Sequence, residues 1–195
     1  MDPILEGLVT TLDPDGSLHL APMGPRILDT GGRLLLRPFP TSRTCRNLKA
    51  FGEGVFHVTD DVMLLAKAAL NKADTPAHRA AHVVRGYVIA DACRTMEFRV
   101  TSIDESQERV HILASIVYRE TLRDFFGFNR AKHAVLEAAI LATRLHLLPF
   151  DEIAMEYRKW KVIVDKTGGK QELEAFDYLQ AHLKNVQHGE RNDSC

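Results

Sequence analysis

The sequence predicts an α+β fold in which a strand-rich first part is followed by a helical second part. Up to about residue 127, short apolar runs alternate with turn-forming residues, a pattern that is typical of strands. From about residue 128, apolar residues recur every three or four positions, which indicates amphipathic helices. The sequence contains neither Gly-x-Gly-x-x-Gly nor a P-loop motif, so the Rossmann and P-loop classes lack their signatures. Strands followed by helices favour α+β over a doubly wound sheet.

The first two strands are predicted to form a hairpin. Residues 4–12 and 17–23 are apolar, and they flank the turn sequence Asp13-Pro14-Asp15-Gly16. Further strands are predicted at residues 33–37 and 54–59, with a short helix at 44–51 between them. Asp61, with Asp60 before it, is then expected to cap a helix over residues 62–71.

The middle of the chain is predicted to contain a loop and a second, longer hairpin. Residues 72–85 are polar and carry a proline, which favours a loop. Residues 94–103 and 109–118 are expected to pair as two strands with one buried face. The alternation predicts which residues face inward. They are Met96, Phe98 and Val100 on the first strand, and His111, Leu113, Ser115 and Val117 on the second.

Three helices are predicted in the second part. Asn129 is expected to cap the first, which runs to about residue 146 with one apolar stripe, formed by Ala131, Val135, Ala138, Ala142 and Leu145. Asp151 is expected to cap the second, which ends at Gly168-Gly169, and the third covers residues 171–186. The predicted organisation is therefore a strand-rich part at 1–127, a helical part at 128–187 and a flexible tail at 188–195.

Composition excludes several classes of protein. The net charge of −1 argues against a protein that binds nucleic acid mainly through charge. No apolar run reaches the roughly 20 residues that span a bilayer. Cysteines are three in number, far apart and without a Cys-x-x-Cys pair, so neither a disulfide framework nor a zinc site is predicted. We expect a cytoplasmic protein that binds no metal, no nucleic acid and no membrane.

The segment 37–47 carries the strongest functional signal. It contains Arg37, Arg43 and Arg46, the hydroxyls of Thr41, Ser42 and Thr44, and the amide of Asn47. Hydroxyls, backbone N–H groups at a helix N-terminus and a guanidinium together bind phosphate well. The same residues also occur in ordinary solvated turns that cap a helix, so from the residues alone both interpretations stay open.

The order of motifs is similar to that of split-barrel flavoproteins, which include flavin reductases and relatives of pyridoxamine-phosphate oxidase. A strand at 34–37, a hydroxyl-rich turn at 41–44, a short helix carrying Asn47 and a strand at 54–59 follow one another. More closely, the chain resembles the domain-of-unknown-function family 447, a flavin-reductase-like group. The matching segments occur in order at 21–24, 42–48, 58–61, 128–131, 137–145 and 166–169.

This resemblance implies a split β-barrel with a C-terminal helical part, and a homodimer that holds flavin mononucleotide (FMN) near its interface. Thr41, Ser42, Thr44 and Asn47 would contact the phosphate, with Arg37 or Arg43 as the counter-charge. The backbone of Ala21, Pro22, Met23 and Gly24 would lie along the isoalloxazine ring. Cys45 takes a position where relatives often carry an aromatic residue, which argues against stacking there. Asn129 or Arg130 could reach the flavin or a substrate, or could be a plain helix cap and a surface arginine.

Three hypotheses for function share this phosphate turn. The first is an FMN-dependent oxidoreductase that uses NAD(P)H or another hydride donor and a small-molecule redox substrate. The second is an FMN carrier or sensor without turnover. The third is a split barrel that binds a deazaflavin coenzyme or pyridoxal phosphate. The sequence names no catalytic residue.

Overall fold

The computed structural model describes residues 2–192, with side chains described as far as Gln187. Nine strands and five α-helices lie within that range, in the order β1 (Gly7–Leu12), β2 (Leu18–Met23), β3 (Arg26–Leu28), β4 (Arg33–Leu36), α1 (Arg43–Phe51), β5 (Glu53–Val58), α2 (Val62–Ala69), β6 (His78–Ala80), β7 (Tyr87–Ile89), β8 (Arg94–Asp104), β9 (His111–Thr121), α3 (Arg130–Ala142), α4 (Phe150–Thr167) and α5 (Lys170–Asn192). None of the helices described is long and apolar enough to cross a membrane.

The chain divides into two compact units. The sheet unit takes in the chain up to Thr59 together with Asp74–Phe125, and the helical unit takes in Asp60–Ala73 together with the chain from Phe126 onward. Helix α2 therefore packs with the C-terminal helices α3 and α5, although it lies between two strands in the sequence.

The sheet unit is a curled antiparallel sheet of seven strands in the order β2-β1-β5-β8-β9-β4-β3. The segment that leads into β1 also pairs with β3, which lies at the far edge. The Leu5 N–H donates to the carbonyl of Pro25 at 3.1 Å, and the Ile27 N–H donates to the carbonyl of Pro3 at 2.9 Å. This second pairing brings the two sides of the sheet together and curls it into a split β-barrel.

The predicted first hairpin is confirmed. Strands β1 and β2 pair antiparallel with Leu12 opposite Leu18, and Gly16 adopts a φ of 82° in the connecting turn. Such a left-handed conformation favours glycine. The interior of the barrel is filled by side chains from five elements, Val9 of β1, Leu34 and Leu36 of β4, Leu48 of α1, Phe56 of β5 and Phe98 of β8, all fully buried.

The helical unit has its own core, built around a face of small residues on α3. Ala131, Val135 and Ala138 are fully buried there, as the predicted stripe requires. The Tyr157 hydroxyl of α4 donates to the carbonyl of Ala138 at 2.8 Å, so a buried polar group finds a partner. Asn129 caps α3 by accepting from the N–H of Lys132 at 3.0 Å, and Asp61 caps α2 in the same way, from Leu64 at 2.9 Å. Both predicted caps are confirmed.

The prediction of which β9 residues face the core is wrong, because the buried set is shifted by one residue. Ile112 and Ala114 are fully buried, whereas Val117 is 38% exposed. The register with β4 explains the difference, because Ile112 lies opposite Leu36 and Ala114 opposite Leu34, and both leucines face the barrel core. Leu113 and its alternating neighbours therefore face away from that core. On β8, Phe98 is fully buried as expected.

Other boundaries also differ from the predictions. Helix α4 begins at Phe150 after Pro149, so Asp151 lies in the first turn instead of capping it, where its charge still favours the helix N-terminus. Helix α3 ends at Ala142, short of the predicted residue 146. The predicted loop at 72–85 contains strand β6, which pairs with β7. Helix α5 continues to Asn192, and the remainder of the predicted flexible tail, 193–195, lies outside the described residues.

Candidate functional site

Helix α1 begins inside the segment that the sequence singles out. The Ser42 hydroxyl accepts from the N–H of Cys45 at 3.2 Å and donates to the carbonyl of Phe39 at 2.8 Å. The N–H groups of Arg43 and Thr44, which open the helix, have no carbonyl one turn earlier to accept from them. They give the end of α1 its partial positive charge and the geometry of an anion site.

The Asp13 carboxylate, in the turn between β1 and β2, holds two residues of α1. Its Oδ1 lies 2.7 Å from Nε of Arg43 and 3.0 Å from Nδ2 of Asn47, and its Oδ2 accepts from a second guanidinium nitrogen of Arg43. Burial of Asp13 opposes its ionisation, but these hydrogen bonds outweigh it and lower the pKa of the carboxyl below its usual value. The carboxylate therefore stays ionised and neutralises much of the charge of Arg43.

Asn47 is buried and makes two bonds through one amide nitrogen. Its Nδ2 donates to Oγ1 of Thr11 at 3.0 Å as well as to Asp13. Both acceptors come from β1 or the turn that follows it. Asn47 therefore holds α1 against the first hairpin. Its amide nitrogen already donates two hydrogen bonds and is not available to bind an anion.

Thr44 is also buried, and its hydroxyl lies 3.1 Å from Nε2 of His19. Desolvation and the nearby guanidinium of Arg43 lower the pKa of His19, so the ring is neutral at neutral pH. A neutral imidazole can donate to or accept from the hydroxyl. His19 thus joins α1 to β2 beside the open helix end.

The arginines of the segment differ in what they bind. Arg46 donates to the carbonyl of Thr41 at 2.6 Å, and Arg43 is paired with Asp13. Arg37 has a buried Nε without a hydrogen-bond partner in the described part of the chain. Of the two counter-charges that the sequence suggested, Arg37 is therefore the one still available to an anion.

Cys45 is fully buried, and burial raises the pKa of its thiol. It packs in the barrel core beside Leu48, so it neither stacks on a ligand nor supplies a thiolate.

The backbone of Ala21, Pro22 and Met23 belongs to β2, and Gly24 follows it. Strand β2 lies at one edge of the sheet and pairs with β1 along only one side in the structure described. Ala21 and Met23 pack against the barrel core, while Pro22 is exposed. The second side of this strand therefore presents backbone donors and acceptors that could border a planar ring.

The two remaining predicted residues, Asn129 and Arg130, lie in the helical unit. Asn129 caps α3, and its amide nitrogen donates to the carbonyl of Thr167 at 3.1 Å. Arg130 is exposed in the first turn of α3. Both positions are consistent with a helix cap and a surface arginine, and a role for either in ligand binding stays a prediction.

Sequence reasoning missed Thr11, Asp13 and His19, the partners that organise α1. The bond between Asp13 and Arg43 joins residues 30 positions apart, and no local pattern announces such a contact. The only available signal was the predicted hairpin, which brings β1 and β2 side by side but does not say what packs against them.

The residues at the start of α1 fit a phosphate monoester. Two N–H groups open the helix, a serine hydroxyl lies at its cap, and Arg37 carries a buried N–H without an acceptor. Each of these groups is a donor, and phosphate offers only acceptors at neutral pH.

Two family models match successive parts of the chain. The family model described as protein of unknown function (DUF447), N-terminal domain, matches residues 5–123, and the model of the DUF447 C-terminal part matches residues 129–181. No curated protein is significantly similar in sequence to this chain.

Several solved structures share the fold. The crystal structure of an FMN-bound DUF447 protein from Methanosarcina mazei superposes with a TM-score of 0.79 at 20% identity, covering 93% of this chain and 96% of that one. Flavin reductase HpaC, crystallised with NADP+, gives 0.55 at 16% identity, covering 65% and 83%. The styrene monooxygenase flavin reductase of Pseudomonas putida S12 gives 0.53 at 12% identity, covering 63% and 82%. The fold is that of the flavin-reductase-like split barrels.

Proposed function

This chain belongs to the DUF447 family, and we propose that it binds FMN and acts as a flavin-dependent oxidoreductase that uses NAD(P)H or another hydride donor. The observation that carries the proposal is the open end of α1, where unpartnered N–H groups and Ser42 offer donors to one phosphate. Arg37, five residues before Ser42, has a buried guanidinium N–H without an acceptor. The related protein from Methanosarcina mazei was crystallised with FMN, which supports the same ligand here.

The phosphate contacts follow from what each group already binds. The N–H groups of Arg43 and Thr44 and the guanidinium of Arg37 are free to donate. Thr41 is exposed beside them, and Ser42 could exchange its bond to the carbonyl of Phe39 for one to phosphate. Asn47 and Thr44 act through their side chains as supports, since both hydroxyl and amide are engaged with the first hairpin.

When bound, the flavin would supply the redox chemistry. The protein would supply orientation, through the anchored phosphate and the free edge of β2, and electrostatics, through the positive end of α1. Because the flavin would carry the redox step, no side chain of the protein is required to act as an acid or base. Two flavin reductases with the same fold support an oxidoreductase over a carrier.

A homodimer with FMN near its interface is part of the proposal. Large apolar side chains are exposed in both units of the single chain, among them Phe39 and Phe125 in the sheet unit and Phe126 and Phe128 in the helical unit. Three of these side chains, Phe125, Phe126 and Phe128, lie within four residues of one another along the chain, and such clustered exposed apolar side chains are typical of a protein that associates. Light scattering after gel filtration should give twice the 21.9 kDa mass of the chain, and a monomer would contradict this part.

A cytoplasmic location stays a prediction. Cys45 is a buried free thiol in the described part of the chain, which agrees with a reducing compartment.

The experiment that tests the oxidoreductase hypothesis is anaerobic titration of the flavin-loaded protein with NADH and with NADPH. Bleaching of the flavin absorbance by either donor, and its return when oxygen is admitted, is the expected result. A protein that holds FMN firmly but is bleached by neither donor would instead support a carrier or sensor. A protein that takes up a deazaflavin or pyridoxal phosphate in preference to FMN would support the third hypothesis.

A further inference from the structure

Two arginines lie at the same end of the β3–β4 pair. Arg26 begins β3 and lies opposite Leu35 of β4, and Arg37 follows Leu35 by two residues. In an antiparallel pair, residues in this diagonal relation extend to the same side of the sheet and lie about 7–8 Å apart. The two side chains therefore leave the same face of the sheet close to each other.

Both arginines lie on the face of the sheet that is turned away from the barrel core. Ile27 and Leu34 lie opposite each other in the next position of the register, and both pack in the core. Because successive side chains alternate between faces, Arg26, Leu35 and Arg37 share the outer face.

Neither guanidinium has a partner that accounts for its position. Nε is buried and without a hydrogen bond in both Arg26 and Arg37, and neither forms an ion pair within the described part of the chain. The nearby carboxylate of Glu6 lies against Gly24. Arg33, on the same outer face of β4, is different because its Nε is paired with Asp29.

Such an arrangement destabilises an isolated chain in two ways. Neighbouring like charges repel each other across a sheet, and a buried donor without an acceptor loses its hydration without replacement. A doubly charged anion between the two side chains would relieve both effects, and the planar fork of arginine matches two oxygens of a phosphate group.

We propose that Arg26 and Arg37 together bind a phosphate dianion at the outer face of the barrel. This site adds Arg26 to the residues that would bind phosphate. It rests on the proposed function, because FMN is the phosphate-bearing ligand that the chain is proposed to bind. The same chemistry would also hold the phosphate of a second molecule, such as a phosphorylated hydride donor.

The test measures binding of inorganic phosphate by calorimetry to FMN-free protein, in the wild type and in the variants Arg26→Gln, Arg37→Gln and Arg33→Gln. Loss of one charge-assisted contact should weaken phosphate binding about tenfold in the first two variants. Arg33→Gln removes the same charge from the same face at a paired arginine and should leave binding unchanged. Arg26→Lys, which keeps the charge and loses the fork, should fall between.

A second arm identifies the source of the phosphate. If the pair holds the phosphate of FMN, Arg26→Gln will weaken binding of FMN but not of riboflavin, and FMN-loaded protein will no longer bind inorganic phosphate. If it holds the phosphate of another molecule, FMN affinity will be unchanged and FMN-loaded protein will still bind phosphate. Circular dichroism confirms that each variant is folded.

The proposal is overturned if Arg26→Gln and Arg37→Gln bind phosphate as tightly as Arg33→Gln does. It is equally overturned if the wild type binds no phosphate and Arg26→Gln leaves the ratio of FMN to riboflavin affinity unchanged. If the proposed function is wrong but the arginine pair does bind phosphate, the result is different: wild-type protein will bind phosphate through the pair and will not bind FMN.

Discussion

The carboxylate of Asp13 binds the guanidinium of Arg43, with Oδ1 at 2.7 Å from Nε, and so ties the turn of the first hairpin to the first turn of α1. The same oxygen accepts from Asn47. This one carboxylate thus fixes the position of the helix end that would hold the phosphate. Because Arg43 is paired with it, the Arg43 guanidinium is not available to bind the phosphate.

Replacing Asp13 by Ala should weaken both the fold and the grip on phosphate. Arg43 and buried Asn47 would each lose an acceptor, which should lower the free energy of unfolding by about 1–2 kcal/mol. Although the change removes a negative charge near the phosphate, FMN should bind more weakly because α1 is less firmly held. Urea unfolding and flavin fluorescence titration measure the two effects.

The matched control for this change is Asp15→Ala, in the same turn, where the carboxylate is exposed and accepts hydrogen bonds, among the described residues, from Ser17 alone. It should leave both measurements unchanged. If Asp13→Ala instead tightens FMN binding, the carboxylate acts through its charge and not by positioning α1.

Replacing Ser42 by Ala removes the cap of α1. Loss of a serine cap should lower the free energy of unfolding by about 1 kcal/mol, and FMN affinity should fall more than riboflavin affinity does. Ser106→Ala, in the exposed turn between β8 and β9, is the control and should change neither quantity. An equal loss of affinity for both flavins would mean that Ser42 supports the fold and not the phosphate site.

His57 should make the protein less stable in mildly acidic solution. Its ring is fully buried, Nε2 accepts from the N–H of Ile89 at 3.1 Å, and burial lowers the pKa to about 4 from an ordinary 6.5. Between pH 6.5 and pH 4, His57 is protonated in the unfolded chain but neutral in the folded chain. The free energy of unfolding should therefore be unaffected by this residue above pH 6.5 and fall by about 3 kcal/mol as the pH drops to 4.

The measurement is the urea midpoint of unfolding between pH 7 and pH 4. His57→Gln should lower stability at neutral pH but flatten its pH dependence over this window, whereas the same change at exposed His146 should keep the wild-type slope. A wild-type protein whose stability is constant from pH 6.5 to 4 would show that His57 is protonated in the folded state.

Glu97 should prove essential to the loop between β6 and β7. Its fully buried carboxylate accepts from the backbone N–H groups of His82, Val83 and Val84 at 2.7, 2.7 and 3.0 Å. Glu97→Ala leaves three donors without an acceptor and should cost about 3 kcal/mol or more of unfolding free energy. Hydrogen exchange at these three amides should accelerate.

Glu108, exposed in the turn before β9, provides the control, since its replacement by Ala should change neither stability nor exchange. Wild-type exchange rates at the three amides in the Glu97→Ala protein would contradict the role assigned to the carboxylate.

Local patterns predicted the parts of this fold that depend on neighbours in the sequence. The Asp13-Pro14-Asp15-Gly16 turn and the caps at Asp61 and Asn129 act within a few residues, so their signals are visible in the sequence. The three-residue strands β3 and β6 are too short to show an alternation. The inner face of β9 depends on its register with β4, which is a tertiary contact.

The candidate site divides in the same way. The start of α1 and its hydroxyls could be recognised from residue types. What each side chain binds could not, because the partners of Arg43, Thr44 and Asn47 come from the first hairpin, at least 25 residues earlier. The structure therefore changes the expected division of roles, making Asn47 and Thr44 supports and leaving Arg37 as the available cation.

The most direct test of the central claim is the affinity of the FMN-free protein for FMN and for riboflavin, measured by quenching of flavin fluorescence. The two ligands differ only in the phosphate that the start of α1 would hold. Two charge-assisted contacts, together worth on the order of 3 kcal/mol, predict that FMN binds about a hundredfold more tightly. Equal affinity for the two flavins, or no binding of either, would contradict the account.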